Sequence, residues 1–113
     1  MNRNFTVSAD SCPGSLLRDK VLPALNLTVS QAARDLQITR QTLHRILAGH
    51  AAITPDMAMR LEKFCGVPCR LWLERQRDHD LERAKAEIGD LIPRIPSYIL
   101  PPHILDSIGD TDG

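Results

Sequence analysis

The sequence predicts an all-α fold in which five helices form one small domain and a proline-rich tail follows. Three observations indicate this: apolar residues recur at helical spacing, capping residues separate the helices, and no stretch before Gly89 alternates apolar and polar residues as strands do. A chain of 113 residues is long enough for a single domain. We divide it into an N-terminal arm (1–13), a helical domain (14–88) and an apolar, proline-rich tail (89–113).

The first two helices have recognisable start signals. The first begins at Gly14. Its apolar stripe consists of Leu17, Val21 and Leu25. We expect Pro23 to end or kink this helix near its last turn, because proline cannot complete the helical hydrogen-bond pattern. Thr28 and Gln31 have the spacing of a capping box, which predicts the start of a short second helix.

The third and fourth helices are bounded by residues that suit helix ends. Thr39 can cap the third helix, which stops at Gly49. Thr54 and Pro55 form the next start signal, since threonine caps helices and proline fits the first helical position. Gly66 suits the end of the fourth helix.

The fifth helix begins near Leu71 and runs to about Ile88. Prolines at positions 93, 96, 101 and 102 follow, so we expect no regular helix after Gly89. The tail nevertheless contains more Ile and Leu than ordinary disordered segments do. An extended chain of this kind can lay alternating apolar side chains into a groove.

Residues 29–48 have the pattern of a helix-turn-helix, in which two helices of about eight residues are joined by a tight turn. The small Ala33 lies on the first helix, where the two helices must cross closely. The space between them would be filled by Leu36, Ile38, Leu43 and Ile46. The second helix of such a pair can enter the major groove of DNA, which is about 12 Å wide.

The outward side chains of this second helix can all donate hydrogen bonds and none is acidic. They are Thr39, Arg40, Gln41, His44 and Arg45. Arginine can bridge two acceptors of guanine, and glutamine can bridge adenine. The start of the first helix offers phosphate contacts through side chains and backbone N–H groups. We assign that role to Thr28, Ser30 and Gln31.

The charge distribution supports this placement. Lys and Arg number 14, as do Asp and Glu, so the formal net charge is zero and the chain is no indiscriminate nucleic-acid binder. Residues 28–50 carry three basic groups and one acidic group, a net charge of +2. Residues 91–113 carry one basic and three acidic groups, a net charge of −2. The net charge of zero is therefore the sum over a chain that has a positive DNA-reading segment and an acidic C-terminal end.

Other function classes find no support in the sequence. The three cysteines do not suggest a disulfide framework, and the four histidines lack zinc-ligand spacing. No residues combine a nucleophile with a base and an orienting group, so we expect no enzyme, metal or cofactor. The N-terminus lacks the apolar core of a signal peptide, which favours a cytoplasmic protein.

Residues 13–81 resemble the HigA-type antitoxins of bacterial toxin–antitoxin operons, within the Cro and lambda-repressor-like (XRE) helix-turn-helix class. The segments that carry the resemblance are LTVSQAA, TRQTLHRILAG, ITPDMAMRLEKFCG and LWLERQ. It implies a homodimer that represses its own operon at palindromic operator DNA and neutralises a RelE- or HigB-like mRNA-cleaving toxin. Helical pattern and resemblance together place the dimer interface at Leu71, Trp72 and Leu73.

Two departures from the family pattern concern structure. Gln37 stands where many helix-turn-helix proteins have glycine in the turn, and Pro68 replaces a capping serine, so we expect a looser start of the fifth helix. Two functional alternatives stay open: a stand-alone or phage-type repressor without a toxin, and a protein-interaction module that has lost DNA binding. The tail, outside the resemblance, can pack on its own dimer, bind the toxin or remain free.

Overall fold

The computed structural model describes residues 12–109, and within them the chain forms helices and no strand. Helix α1 (residues 13–25) has three parts: Pro13–Leu16 is α-helical, Leu17–Val21 is π-helical and Leu22–Leu25 is α-helical. The helices that follow are α2 (Val29–Leu36), α3 (Arg40–Leu47), α4 (Pro55–Cys65), α5 (Cys69–Ile88) and α6 (Pro102–Gly109). A short 3-10 turn, Ile92–Arg94, lies between α5 and α6. The predicted N-terminal arm lies largely outside the described residues.

The π-helical part of α1 ends two residues before Pro23. Proline has no N–H for the carbonyl four residues earlier, and its ring crowds that carbonyl. The wider π turn removes this conflict, so that α1 continues to Leu25 and ends at Asn26 in a left-handed conformation. Pro23 was expected to end or kink α1 near its last turn; the helix passes it after the π turn and ends two residues later, at Leu25.

The predicted start signals of α2, α3 and α4 are confirmed. The capping box is complete: Thr28 Oγ1 accepts from Gln31 N at 3.1 Å, and Gln31 Oε1 accepts from Thr28 N at 3.1 Å. Thr39 Oγ1 accepts from the backbone of α3 at 3.0 Å, and Thr54 Oγ1 accepts from the backbone of α4 at 3.2 Å. These bonds satisfy N–H groups that have no partner within their helices.

Two polar contacts from other parts of the chain hold α5. Gln76 Oε1 accepts from Ile53 N at 2.8 Å, which ties the loop before α4 to α5. At the start of α5, Glu62 Oε1 accepts from Cys69 N at 3.3 Å. A carboxylate of α4 thus replaces the cap that Pro68 cannot supply. The hydrogen bond from the Cys69 thiol to Glu62 also raises the pKa of that thiol.

The core forms where five helices meet. Its largest fully buried side chains come one each from α1, α3, α4 and α5: Leu17, Leu43, Leu61 and Trp72. Helix α2 contributes two fully or almost fully buried alanines, Ala32 and Ala33. A core made mostly of aliphatic side chains is what the aromatic content of 4% requires.

The expectation that prolines exclude regular helix after Gly89 is wrong for the end of the tail. Helix α6 begins at Pro102, and no proline follows within it. Proline fits the first helical position because its missing N–H has no helical partner there in any case. The described chain thus has a sixth helix beyond the five expected. None of its helices is long and apolar enough to cross a membrane.

Candidate nucleic-acid interface

Helices α2 and α3 form the predicted helix-turn-helix, and Gln37 makes the turn. Its backbone is left-handed (φ 61°, ψ 44°), a conformation that costs a residue other than glycine about 1–2 kcal/mol. Arg60 of α4 stabilises the turn through two hydrogen bonds: its Nη1 donates to Leu36 O at 2.7 Å and to Gln37 O at 3.2 Å. Asp56 pairs with the same guanidinium and orients it. These bonds offset part of the strain.

The inner faces of α2 and α3 pack as the spacing predicts. Ala33 is 2% exposed, which allows the two helices to approach closely. The other buried residues of the pair are Ala32, Leu36, Leu43, Ile46 and Leu47, and Ile38 packs against them from the turn. The two helices are thus fixed relative to each other by their own apolar surfaces.

The N-terminal turn of α1 lies directly on the C-terminal end of α3. A β-carbon at Gly14 would overlap the Ile46 carbonyl, so only glycine fits here. Arg18 Nη1 donates to Leu47 O at 3.3 Å. The same guanidinium pairs with Asp19 at 2.8 Å and holds the pKa of that carboxyl below its usual value. In the sequence Gly14 is recognisable only as a helix start, because a close approach between distant segments has no local signal.

The outward face of α3 is exposed over its whole length. The five residues predicted to face DNA are all exposed: Thr39, Arg40, Gln41, His44 and Arg45. Arg40, Gln41 and His44 make no side-chain hydrogen bond with any residue that the structure describes. Arg45 Nη2 donates to His50 O at 3.1 Å, which directs this guanidinium along the C-terminal half of α3. The face therefore presents donors and no carboxylate.

The start of α2 carries the residues predicted to contact phosphate. The capping box engages the Thr28 hydroxyl and the Gln31 carbonyl oxygen, and leaves the Gln31 amide nitrogen as an exposed donor. Ser30 is half-buried. The backbone N–H groups of Val29 and Ser30 have no acceptor within the helix, since the first turn of any helix lacks one. This end of α2 can donate hydrogen bonds to an anion.

Comparison with known proteins places the chain in a family. A family model for the helix-turn-helix matches residues 17–72. The uncharacterised HTH-type transcriptional regulator YddM of Escherichia coli (strain K12) is 33% identical over 76 residues, which span 67% of this chain and 80% of that protein. The chain belongs to the XRE-type helix-turn-helix family.

Solved structures narrow the resemblance within the XRE-type family. The antitoxin HigA of Pseudomonas aeruginosa, solved with the higBA promoter, is 28% identical with a TM-score of 0.72, covering 79% of this chain and 97% of that one. An addiction-module antidote protein of the HigA family from Coxiella burnetii is 31% identical with a TM-score of 0.69, covering 76% and 95%. The resemblance to HigA-type antitoxins is confirmed.

The residues expected at the dimer interface of this XRE-type domain lie in three different environments. Leu71 is 37% exposed, and Leu73 is half-buried against the core. Trp72 has no exposed surface and is part of the core of the single chain, and its indole N–H has no acceptor among the residues that the structure describes. Trp72 thus offers no surface in the single chain, whereas Leu71 and Leu73 lie on other sides of α5, because a helix turns about 100° per residue. By packing in the core, Trp72 holds Leu71 and Leu73 in position on α5.

Proposed function

We propose that this protein is a HigA-type antitoxin that represses its own operon as a dimer and neutralises a RelE- or HigB-like mRNA-cleaving toxin. The observation that carries the proposal is the exposed, acid-free face of α3 in a helix-turn-helix that α1 and α4 hold rigid. Repression consists of occupying the promoter and needs no cofactor.

The DNA contacts follow from the chemistry of this face. Arg40, Gln41 and Arg45 read base edges in the major groove, with Thr39 and His44 beside them. Thr28, Ser30 and Gln31, at the start of α2, hold a phosphate and so set the depth of α3 in the groove. Phosphate contacts position the domain, whereas the base contacts select the operator.

A dimer would place two α3 helices about 34 Å apart, in successive major grooves on one side of the DNA. An operator read in this way is a palindrome, because its two half-sites meet the same side chains. We assign the dimer contact to the outward side of α5, starting at Leu71, with Leu73 at its edge.

The test is a gel-shift titration of the protein's own promoter at two salt concentrations. Arg40→Ala with Arg45→Ala should weaken binding at least tenfold, since each good base contact contributes about 1–3 kcal/mol. Lys63→Ala with Arg75→Ala removes the same charge from exposed positions on α4 and α5 and should leave affinity within about twofold. Equal affinity and salt dependence in both double variants would contradict the assignment of α3.

Toxin neutralisation is tested separately. The solved HigA structures that this chain is similar to are named as antitoxins or antidotes, which supports a toxin partner. We expect a small RelE-like reading frame beside this gene, whose product copurifies with the protein and loses ribonuclease activity. The relative YddM is named only as a transcriptional regulator, which favours a stand-alone repressor if no such neighbour exists.

A further inference from the structure

The C-terminal third of the chain leaves its apolar side chains uncovered. From Asp80 to Gly109 no residue is buried, and the structure packs α6 closely on no other helix. Ten large apolar side chains lie exposed between residues 88 and 108, from 37% at Ile104 to 96% at Ile99. A monomeric protein seldom leaves this much apolar surface uncovered, so the segment indicates an interaction site.

A matching surface lies on α5. Leu81, Ala84 and Ile88 fall on one side of this helix, and we call them the outward strip. The helical repeat places them opposite Trp72, which faces the core, so the chain's own domain cannot cover them. Leu81 is 51% and Ile88 43% exposed. The strip lies on the same helix as Leu71, closer to the C-terminal end of that helix.

We propose that residues 89–109 of one chain form an arm that packs α6 on the outward strip of a second copy. The inference rests on the dimer of the proposed function. It adds that the outward strip of each chain is covered by the arm of the other. In a twofold dimer the exchange occurs twice, because each chain supplies one arm and one strip.

The area agrees with what a dimer needs. Full burial of one large aliphatic side chain removes about 60–120 Å² of apolar surface from water. At their observed exposures the ten side chains present roughly 350–700 Å² per chain. A standard stable interface buries about 800 Å² per partner, polar atoms included. Leu81 of the strip raises the apolar area to roughly 380–750 Å² per chain, which approaches this size once the polar atoms of arm and strip are included.

The prolines favour exchange with a second copy over folding back. Residues 95–101 have no helix, and Pro96 and Pro101 favour an extended chain of about 3.1 Å per residue. This linker carries α6 about 20 Å beyond the 3-10 turn. Short hinge segments favour the exchange of an element between identical subunits. The second copy is also present wherever the protein is made.

Sedimentation equilibrium over a range of protein concentrations tests the proposal. Ile104→Asp with Ile108→Asp puts two charges on the apolar side of α6 and should raise the dimer dissociation constant at least tenfold. His103→Asp with Ser107→Asp adds the same charges at the same spacing on another side and should change it less than twofold. All four residues are exposed, so neither double variant disturbs the core.

A crosslink distinguishes the second copy from other occupants. With Leu105 replaced by benzoylphenylalanine, light should join α6 of one chain to residues 77–88 of another. An unchanged dissociation constant in Ile104→Asp with Ile108→Asp would overturn the proposal, as would crosslinks only within one chain or only to a copurified toxin. A dimer that depends on the arm but does not bind its promoter would contradict the proposed function, while the proposal for the arm would stand.

Discussion

Replacing Gly14 by alanine tests the packing that fixes α3. The new β-carbon would lie 2.9 Å from the Ile46 carbonyl carbon and 3.4 Å from Leu47 Cα, and would overlap the Ile46 oxygen. The overlap with the Ile46 oxygen is deeper than either carbon contact, so α1 and α3 must separate by more than roughly 1 Å. Both sides of the contact are backbone and cannot rotate away.

The expected cost follows from this geometry. Overpacking costs about 1–3 kcal/mol, and this contact belongs at the upper end because no side chain can move to relieve it. Separation also weakens the hydrogen bond from Arg18 to Leu47 O, which contributes about 0.5–1.5 kcal/mol. The better helix propensity of alanine returns up to about 1 kcal/mol. We expect a net loss of about 2–3 kcal/mol in the free energy of unfolding.

Urea denaturation followed by circular dichroism measures this loss, at one protein concentration because a dimer's stability depends on it. Gly109→Ala is the matched control, since nothing lies within 4 Å of its β-carbon. It should change the free energy of unfolding by less than about 0.5 kcal/mol. If Gly14→Ala is as stable as the wild type, the close approach of α1 to α3 does not exist.

Three further substitutions test the turn and the caps. Gln37→Gly should stabilise the protein by roughly 0.5–1 kcal/mol in urea denaturation, because it relieves the left-handed strain; a loss would contradict this. Thr39→Ala should cost about 1 kcal/mol by the same assay while Thr39→Ser costs less, and equal losses would refute the cap. Glu62→Gln should speed alkylation of the Cys69 thiol near pH 8, because the pKa of that thiol falls towards its usual value and more thiolate forms. An unchanged rate would show that Glu62 does not raise the pKa of the Cys69 thiol.

The parts of the fold that depend on neighbouring residues were predictable. The capping box of Thr28 and Gln31 and the cap at Thr39 are encoded within four residues, so sequence alone locates the starts of α2 and α3. The outward face of α3 follows from the helical repeat once its apolar residues are placed inside. These two local rules account for most of the candidate site.

The parts that depend on distant residues were not predictable. Arg60 reaches the turn from α4, and Glu62 caps α5 from the preceding helix. Gly14 contacts a backbone that lies more than thirty residues away in sequence. Trp72 looks like an interface residue by pattern, but only packing shows that it belongs to the core. Helix α6 was not predicted because proline can begin a helix as well as end one, and Pro102 begins α6.

Footprinting of the protein's own promoter is the most direct test of the central claim, that the exposed face of α3 reads operator DNA. We expect protection of two symmetric patches in the major groove, with centres about one helical turn, or a multiple of it, apart. The Arg40→Ala, Arg45→Ala variant should lose both patches at protein concentrations that fully protect them in the wild type. A wild type that protects no such patches, or a variant that protects them equally well, would contradict the claim.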